Sequence, residues 1–400
     1  MENNKIMDYI EKFEKSAFGL FVHFGLYSRI SKGEWYLSLN EKQHKKDYFD
    51  LQKFKVKADW SKKLVKCAKE TGCKYITLTT RHHDGFSLYD TQGLNTFDAP
   101  HSATGRDLIK EFVEECNKEN ITPFFYHTLL DWHNEDYLNN FPRYVDYLIR
   151  SIEILCTSYG KIGGFWFDGM WDKPNENWQE DRLYGLIRKY QPEAMIINNT
   201  GLSACGKVGH KEIDSVTFER GKPAFVDNSD KHRAGEMCQI LNDHWGYAKK
   251  DYNYKSTKEL IENLVDCRKS NCNFLLNTGL KGNGEINTLD RELLRIVGKW
   301  IKVNKNFIYN VRSCDIKADG ADIVSDGENY YAIIKNVFMS ADPNVALSGE
   351  KKSVVLDRKI KYGVWLDSNE QIDIVNDNSF LVKPFCYGES YSVRVAKLKL

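Results

Sequence analysis

Between residues 18 and 277 eight short apolar runs recur, and amphipathic segments of helical period lie between most of them. The runs are Phe18 to Gly25, Tyr75 to Thr80, Pro123 to Thr128, Gly164 to Asp168, Met195 to Asn198, Ser215 to Glu219, Cys238 to Asn242 and Asn273 to Asn277. Apolar runs alternating with helices are the pattern of parallel strands covered on both faces. Eight such units predict an α/β fold closed as a (β/α)8 barrel. The intervening helices are read at Trp60 to Thr71, behind Thr104-Gly-Arg-Asp107, at Tyr144 to Ser158, Gln179 to Tyr190, behind Ser256, and at Leu289 to Val303. Leu108, Phe112 and Cys116 recur every four residues, and Ser256 with Glu259 has the form of a capping box ahead of Leu260, Leu264 and Cys267. A long polar connection from Lys222 to Glu236 is expected to shape the barrel mouth.

Past residue 305 the rhythm changes to short alternating runs broken by Asp, Gly and Asn, such as Tyr330 to Lys335 and Tyr362 to Asp367. That texture predicts a small β-sandwich. The expected organisation is a barrel over residues 1–305 and a C-terminal β-sandwich over 306–400.

The 57 basic residues are balanced by 56 acidic ones and are dispersed, which leaves no surface suited to tracking a phosphate backbone and argues against nucleic acid as a partner. No window approaches the roughly 20 apolar residues that span a bilayer, and the opening Met1-Glu-Asn-Asn4 lacks a leader's apolar stretch. A cytoplasmic protein with no membrane contact is expected. The ten cysteines contain no C-x-x-C pair and read as reduced core thiols. Aromatic residues make up 13%, with nine Trp, a weak pointer to sugar faces stacked on rings.

In a barrel the C-terminal ends of the strands converge on one cavity. The residues that fall there are His23, the segment Arg81-His82-His83-Asp84, Tyr126, Asp168, Asn198-Asn199-Thr200 and Glu219, with Glu34 and Trp35 on the loop after the first strand and Trp166 just inside the fourth. Asp168 ends the run Phe165-Trp-Phe-Asp168, and Glu219 ends Ser215-Val-Thr-Phe-Glu219. Two carboxylates at neighbouring strand tips can flank a glycosidic bond, one as nucleophile and the other as acid. Each residue also has a plainer role. Asp168 can cap a helix, His23 can be a satisfied core histidine, Trp166 can fill the barrel, and His82 and His83 point to opposite faces of a regular strand, one supporting the other. A metal-dependent hydrolase with His23, His82, His83 and Asp168 as ligands is a rival reading, weakened by the awkwardness of adjacent histidines around one ion. A sugar-binding protein without chemistry is a third, and the presence of both carboxylates argues against it.

The ordered motifs F-G-L-F-V-H-F-G, G-E-W-Y, R-H-H-D-G-F, W-F-D-G, D-S-V-T-F-E, E-M-C-Q-I-L-N-D-H-W-G-Y and N-F-L-L-N-T-G resemble the α-L-fucosidases of glycoside hydrolase family twenty-nine over roughly residues 8–300. The resemblance implies a retaining exo-glycosidase on a (β/α)8 barrel with a C-terminal β-sandwich, acting on fucosylated oligosaccharides or glycoconjugates without metal or cofactor. It implies Asp168 as nucleophile and Glu219 as acid/base, flanked by Asp214 and Thr217, with Glu236 as the other candidate acid/base. The sugar contacts it implies are His23, Glu34, Trp35, His82, His83, Tyr126 and Trp166, with the ring of Trp35 or Tyr36 against the 6-deoxy methyl. Many relatives carry N-D-R where this chain has Asn198-Asn199-Thr200, so the Arg contact has no counterpart at Thr200, and Arg220 is the nearby cation.

Overall fold

The computed structural model describes residues 7–40, 46–340 and 352–400. Eight parallel strands close in sequential order: β1 (Phe18–His23), β2 (Tyr75–Arg81), β3 (Thr122–Thr128), β4 (Gly164–Asp168), β5 (Met195–Asn198), β6 (Ser215–Thr217), β7 (Ala234–Gln239) and β8 (Cys272–Gly279), which pairs back onto β1. One helix, α1 (Asp8–Ser16), precedes the barrel, and α2 (Trp60–Thr71), α3 (Leu108–Glu119), α4 (Phe141–Ser158), α5 (Glu180–Tyr190), α6 (Thr257–Lys269) and α7 (Thr288–Val303) clothe it. Their starts are set locally. Asp107 accepts from the Lys110 backbone N–H at 2.9 Å and Ser256 from that of Glu259 at 3.1 Å, each satisfying a donor the helix itself leaves unpaired.

Alternate residues of each barrel strand face opposite ways. In β1, Phe18, Leu20 and Val22 join the layer between strands and helices, while Phe21 points inward beside Tyr126, Trp166 and Leu275. Tyr75 also points inward, and its ring lies where a Cβ on Gly19 would stand, 2.4 Å away, so only glycine fits there. The barrel floor is closed by α1, a helix the sequence reading does not include. Phe13 packs its ring 5.3 Å from Tyr75 and 5.5 Å from Phe124, and Ile10 joins the same cluster.

The sixth and seventh strands differ from expectation. β6 stops at Thr217, and β7 runs over Ala234–Gln239 rather than Cys238 to Asn242, which moves Glu236 out of a loop and into the barrel wall. No α-helix occupies the connections after β5 and β6, both wholly described; the first holds only the 3-10 turn Leu202–Ala204. Residues 218–233 shape the mouth only at their start. Beyond that they descend the outside of the barrel, where Cys272 Sγ donates to Ala224 O, and reach the floor, where Lys231 pairs with Asp214 at 2.8 Å and His232 with Glu14 at 2.9 Å.

Two antiparallel sheets follow, from β9 (Arg312–Ser313), β10 (Ala318–Asp319), β11 (Asp322–Ser325), β12 (Tyr330–Lys335), β13 (Lys352–Leu356), β14 (Tyr362–Trp365), β15 (Asp373–Asn376), β16 (Ser379–Val382) and β17 (Val393–Lys399). Their orders are β10-β13-β16-β15 and β14-β17-β12-β11-β9. Period-two alternation along β12 sends Ala332 and Ile334 into the core between the sheets, against Trp365 and Phe380, and Tyr331 and Ile333 toward the barrel. Trp300 of α7 donates its indole N–H to Val393 O at 3.0 Å and locks the sandwich to the barrel.

Candidate active site

All nine residues singled out as site residues line one cavity of about 650 Å³ at the C-terminal ends of the strands: His23, Glu34, Trp35, His82, His83, Tyr126, Trp166, Asp168 and Glu219. His82 and His83 do not diverge to opposite faces. β2 ends at Arg81, and its pairing with β3 slips a register between Thr79 and Arg81, so the strand alternation no longer governs the two imidazoles, whose ring centroids lie 4.2 Å apart on the cavity wall. Tyr36 opens the helical turn Tyr36–Leu39 outside the cavity lining, which leaves Trp35 as the expected apolar wall. Trp35 packs against Trp132 at 5.1 Å and Trp171 at 6.2 Å.

Asp168 is the last residue of β4, and Gly169 at φ +98 turns the chain away immediately behind it. A Cβ there would meet Leu130 at 2.7 Å. The carboxylate caps no helix: the 3-10 turn Met170–Asp172 that follows receives no side-chain cap. It accepts instead from three donors. Tyr126 Oη–H donates to Oδ2 at 2.9 Å, and Trp171 Nε1–H and Asn199 Nδ2–H donate to Oδ1 at 3.0 and 3.1 Å. His83 Nε2 faces Oδ2 at 3.5 Å. Asn199 Nδ2–H donates also to Glu219 Oε2 at 2.7 Å, so one amide nitrogen joins the two carboxylates. Even with those two bonds collinear, the oxygens stand closer than the roughly 6.5 Å at which inverting pairs begin. Burial, and then the charge of Asp168, push the Glu219 carboxyl up, while the Asn199 bond and Arg220 act against them. Burial and the Asp168 charge prevail, and the Glu219 carboxyl is raised.

The histidines are arranged as acceptors. Asn277 Nδ2–H donates to Trp245 O at 2.8 Å, which turns its Oδ1 toward His23 Nδ1 at 2.7 Å and assigns the His23 proton to Nδ1. Thr128 Oγ1–H donates to Leu130 O, so its lone pair takes His83 Nδ1–H at 2.7 Å. Burial holds His23 down to about 3 and lowers His82 and His83, keeping all three neutral. A neutral ring whose Nδ1 carries the proton presents a bare Nε2, an acceptor for a sugar hydroxyl. Glu34, whose Oε2 accepts from Gly246 N–H at 2.7 Å, adds a carboxyl group to the cavity wall, its pKa raised by burial.

Glu236 lies apart from the cavity lining, buried within the barrel, where Tyr75 Oη–H donates to one oxygen and Trp166 Nε1–H to the other at 2.9 Å. Asp214 is at the barrel floor, paired with Arg188 at 2.5 Å and Lys231 at 2.8 Å, and acts in folding rather than in the cavity. Thr217 does reach the site, donating its hydroxyl to Asn199 Oδ1 at 3.1 Å. Thr200 turns away and donates to Ala204 O at 2.6 Å, whereas Arg220 lines the cavity with its guanidinium 5.3 Å from the Trp245 ring. Among the described residues no group of three or more His, Cys, Asp or Glu side chains converges to hold a metal ion, so the four residues of the metal reading do not form a ligand set. Sequence reasoning passed over Trp171, Trp245, Asn277 and the bridging role of Asn199.

Burial pushes the Glu236 carboxyl up to about 7, against the two donors that favour its anion, whereas an unfolded glutamate ionises near 4.5. Protonation therefore favours the folded state. The contribution is present in full below pH 4.5 and is lost as pH rises through about 7. Relative to Glu236→Gln, the wild type is expected to lose up to about 3 kcal/mol of unfolding free energy across that window, read by denaturant titration. The variant should keep its activity on substrates with good and poor leaving groups alike. A selective loss on poor ones would place the acid at Glu236.

A (β/α)8 barrel whose mouth holds two closely spaced carboxylates over an aromatic-walled cavity, with a β-sandwich behind it, is the architecture of a glycoside hydrolase. The sequence profile of the alpha-L-fucosidase family matches residues 1–306, and the chain belongs to that family. It is 27% identical over 331 residues to the tissue alpha-L-fucosidase of Mus musculus, covering 74% of this chain and 70% of that one. To the alpha-L-fucosidase of Dictyostelium discoideum it is 25% identical over 334 residues, with the same coverage of 74% and 70%. Alpha-L-fucosidase isoenzyme 1 from Paenibacillus thiaminolyticus superposes with a TM-score of 0.84 at 28% identity, covering 98% of this chain and 99% of the other. An alpha-L-fucosidase from Bacteroides thetaiotaomicron, trapped as a covalent intermediate with 2-fluoro-fucosyl fluoride, superposes with a TM-score of 0.81 at 22% identity, covering 100% and 98%.

Proposed function

We propose that this glycoside hydrolase removes terminal α-L-fucose from oligosaccharides or glycoconjugates with retention, by double displacement through Asp168 and Glu219. The observation that carries the reading is the single Asn199 nitrogen bonded to both carboxylates, a spacing compatible with the roughly 5–5.5 Å of retaining pairs and below the roughly 6.5 Å at which inverting pairs begin. Asp168, anionic and held by Tyr126, attacks C1 from the β face as Glu219 passes its proton to the departing oxygen. The product of that step is a β-fucosyl ester of Asp168. Glu219, now a carboxylate, takes a proton from water, whose oxygen attacks C1 from the α face and frees Asp168. Neutral His23 and His83, with Glu34, accept from the sugar hydroxyls, and the Trp35 ring faces the 6-deoxy methyl. A pyranose lacking a matched hydroxyl leaves those buried acceptors unpaired, which disfavours it. That a neighbour of the same fold was trapped with a fucosyl reagent supports the covalent step. Action in the cytoplasm is part of the proposal, supported by ten cysteines none of which is in a disulfide.

The test is the stereochemistry of the first-formed sugar. Proton NMR during hydrolysis of an aryl α-L-fucoside should give α-L-fucose first, with the β anomer appearing only by mutarotation, in chelator as well as without it. β-L-Fucose as the initial product would end the retaining assignment.

A further inference from the structure

We propose that Asn199 is a positioning residue for both carboxylates, its one amide nitrogen fixing the gap between Asp168 and Glu219 and the orientation of each. This rests on the roles just given to those two residues. Both protons of Nδ2 are committed, one to Asp168 Oδ1 at 3.1 Å and one to Glu219 Oε2 at 2.7 Å. The other end of the amide is equally tied. Oδ1 accepts from Thr217 Oγ1–H at 3.1 Å and from Gly201 N–H at 3.3 Å, so a flip would aim an oxygen at two carboxylates and leave two donors facing a third.

The backbone completes the clamp. Asn199 N–H donates to Phe167 O at 2.8 Å, one residue ahead of Asp168 in β4, while Thr217 ends β6 two residues before Glu219. Asn199 therefore takes its position from both strands that carry the reacting groups. It is 3% exposed, so water does not compete for its protons. The two carboxylates repel, and a shared donor holds them close in every charge state of the cycle. Glu219 must surrender a proton in the first step and regain one in the second, and Asn199 donates to its ionised form throughout.

Glu219 is also faced by Asp168 from β4, Tyr126 from β3, Glu34 from the loop after β1, Cys238 from β7 and its neighbour Arg220. Against that fixed background, deleting the Asn199 donor makes Glu219 hold its proton to higher pH. Because kcat/KM requires protonated Glu219, its fall on the alkaline side should move upward. The experiment is kcat/KM against pH on an aryl α-L-fucoside for the wild type, Asn199→Ala, Asn199→Asp and Thr217→Val, with thermal unfolding of each. Asn199→Ala should lose about 100-fold in kcat/KM, the scale of a misplaced catalytic group. Its alkaline limb should lie above that of the wild type, and that of Asn199→Asp higher still, since a third carboxylate then faces Glu219. Thr217→Val keeps the amide but frees its orientation, and should show a smaller shift of the same sign. If the Asn199 variants fail to fold, Thr217→Val carries the test. Limbs that superpose on the wild type, with only thermal stability lowered, overturn the proposal. Glu219→Ala separates the two layers: a limb that survives in it removes Glu219 as the acid, whereas a limb lost there but unmoved in the Asn199 and Thr217 variants overturns the positioning role alone.

Discussion

Asp168→Gly is expected to lower turnover of an aryl α-L-fucoside by roughly four orders of magnitude or more while the protein remains folded. Among the described residues no second carboxylate stands ready to attack C1: Glu219 is engaged on the leaving group, and Glu34 is bonded to the Gly246 backbone. The fold should tolerate the change because Asp168 caps nothing, is 14% exposed at its side chain, and leaves its donors facing a wet cavity. Removing it also relieves the repulsion on Glu219, so the unfolding temperature should hold or rise, as is common when strained site residues are replaced. Azide adds a stereochemical check. In Asp168→Gly it can occupy the vacated space and attack from the β face, giving β-L-fucosyl azide with inversion. A variant that unfolds readily yet retains turnover in its folded fraction would mean that Asp168 is a structural residue.

Glu219→Ala is expected to behave differently with different substrates. Without the acid, a fucoside with a sugar leaving group should lose about 10²- to 10⁴-fold, whereas a dinitrophenyl fucoside, which needs no protonation to depart, should lose little in its first step. The second step then lacks its base, and the fucosyl-enzyme accumulates. Azide needs no base and should restore turnover, yielding α-L-fucosyl azide, the opposite anomer from that of Asp168→Gly. The alkaline limb of the wild type, displaced upward by burial and by the charge of Asp168, should vanish with Glu219. Equal loss on both substrates without azide rescue would show that Glu219 is not the acid/base.

The barrel was legible because parallel strands must be apolar along their whole length, and seven of the eight runs end in polar residues that have no use in a core. β7 was misplaced because its sequence, Ala234-Gly-Glu-Met-Cys-Gln239, carries an inward-facing carboxylate in place of an apolar side chain, and the stronger run Cys238-Gln-Ile-Leu-Asn242 lies just beyond. What satisfies the two oxygens of Glu236 is Tyr75, from a strand far back in the chain, and Trp166. The same separation hid Asn277, which sets the His23 tautomer from 254 positions away, and Asn199, whose meaning lies in three strands at once. Residue types at strand tips announced the chemistry. The hydrogen bonds that orient those residues come from long-range pairing, to which local periodicity is blind.

The helix that seals the barrel floor imposes an order on how this protein is made. α1 leaves the ribosome ahead of its seat, which is assembled from the chain that follows: Phe13 against Tyr75 and Phe124, Tyr9 Oη–H on Asp214, and Phe13 O accepting from Asn273 Nδ2–H. The last of these partners is synthesised some 260 residues after the helix itself. An isolated nine-residue helix is marginal in water, so α1 waits as an unpaired amphipathic segment until β8 arrives, and its docking marks closure of the barrel. Protection of its amides in pulse-labelled refolding would time that closure directly.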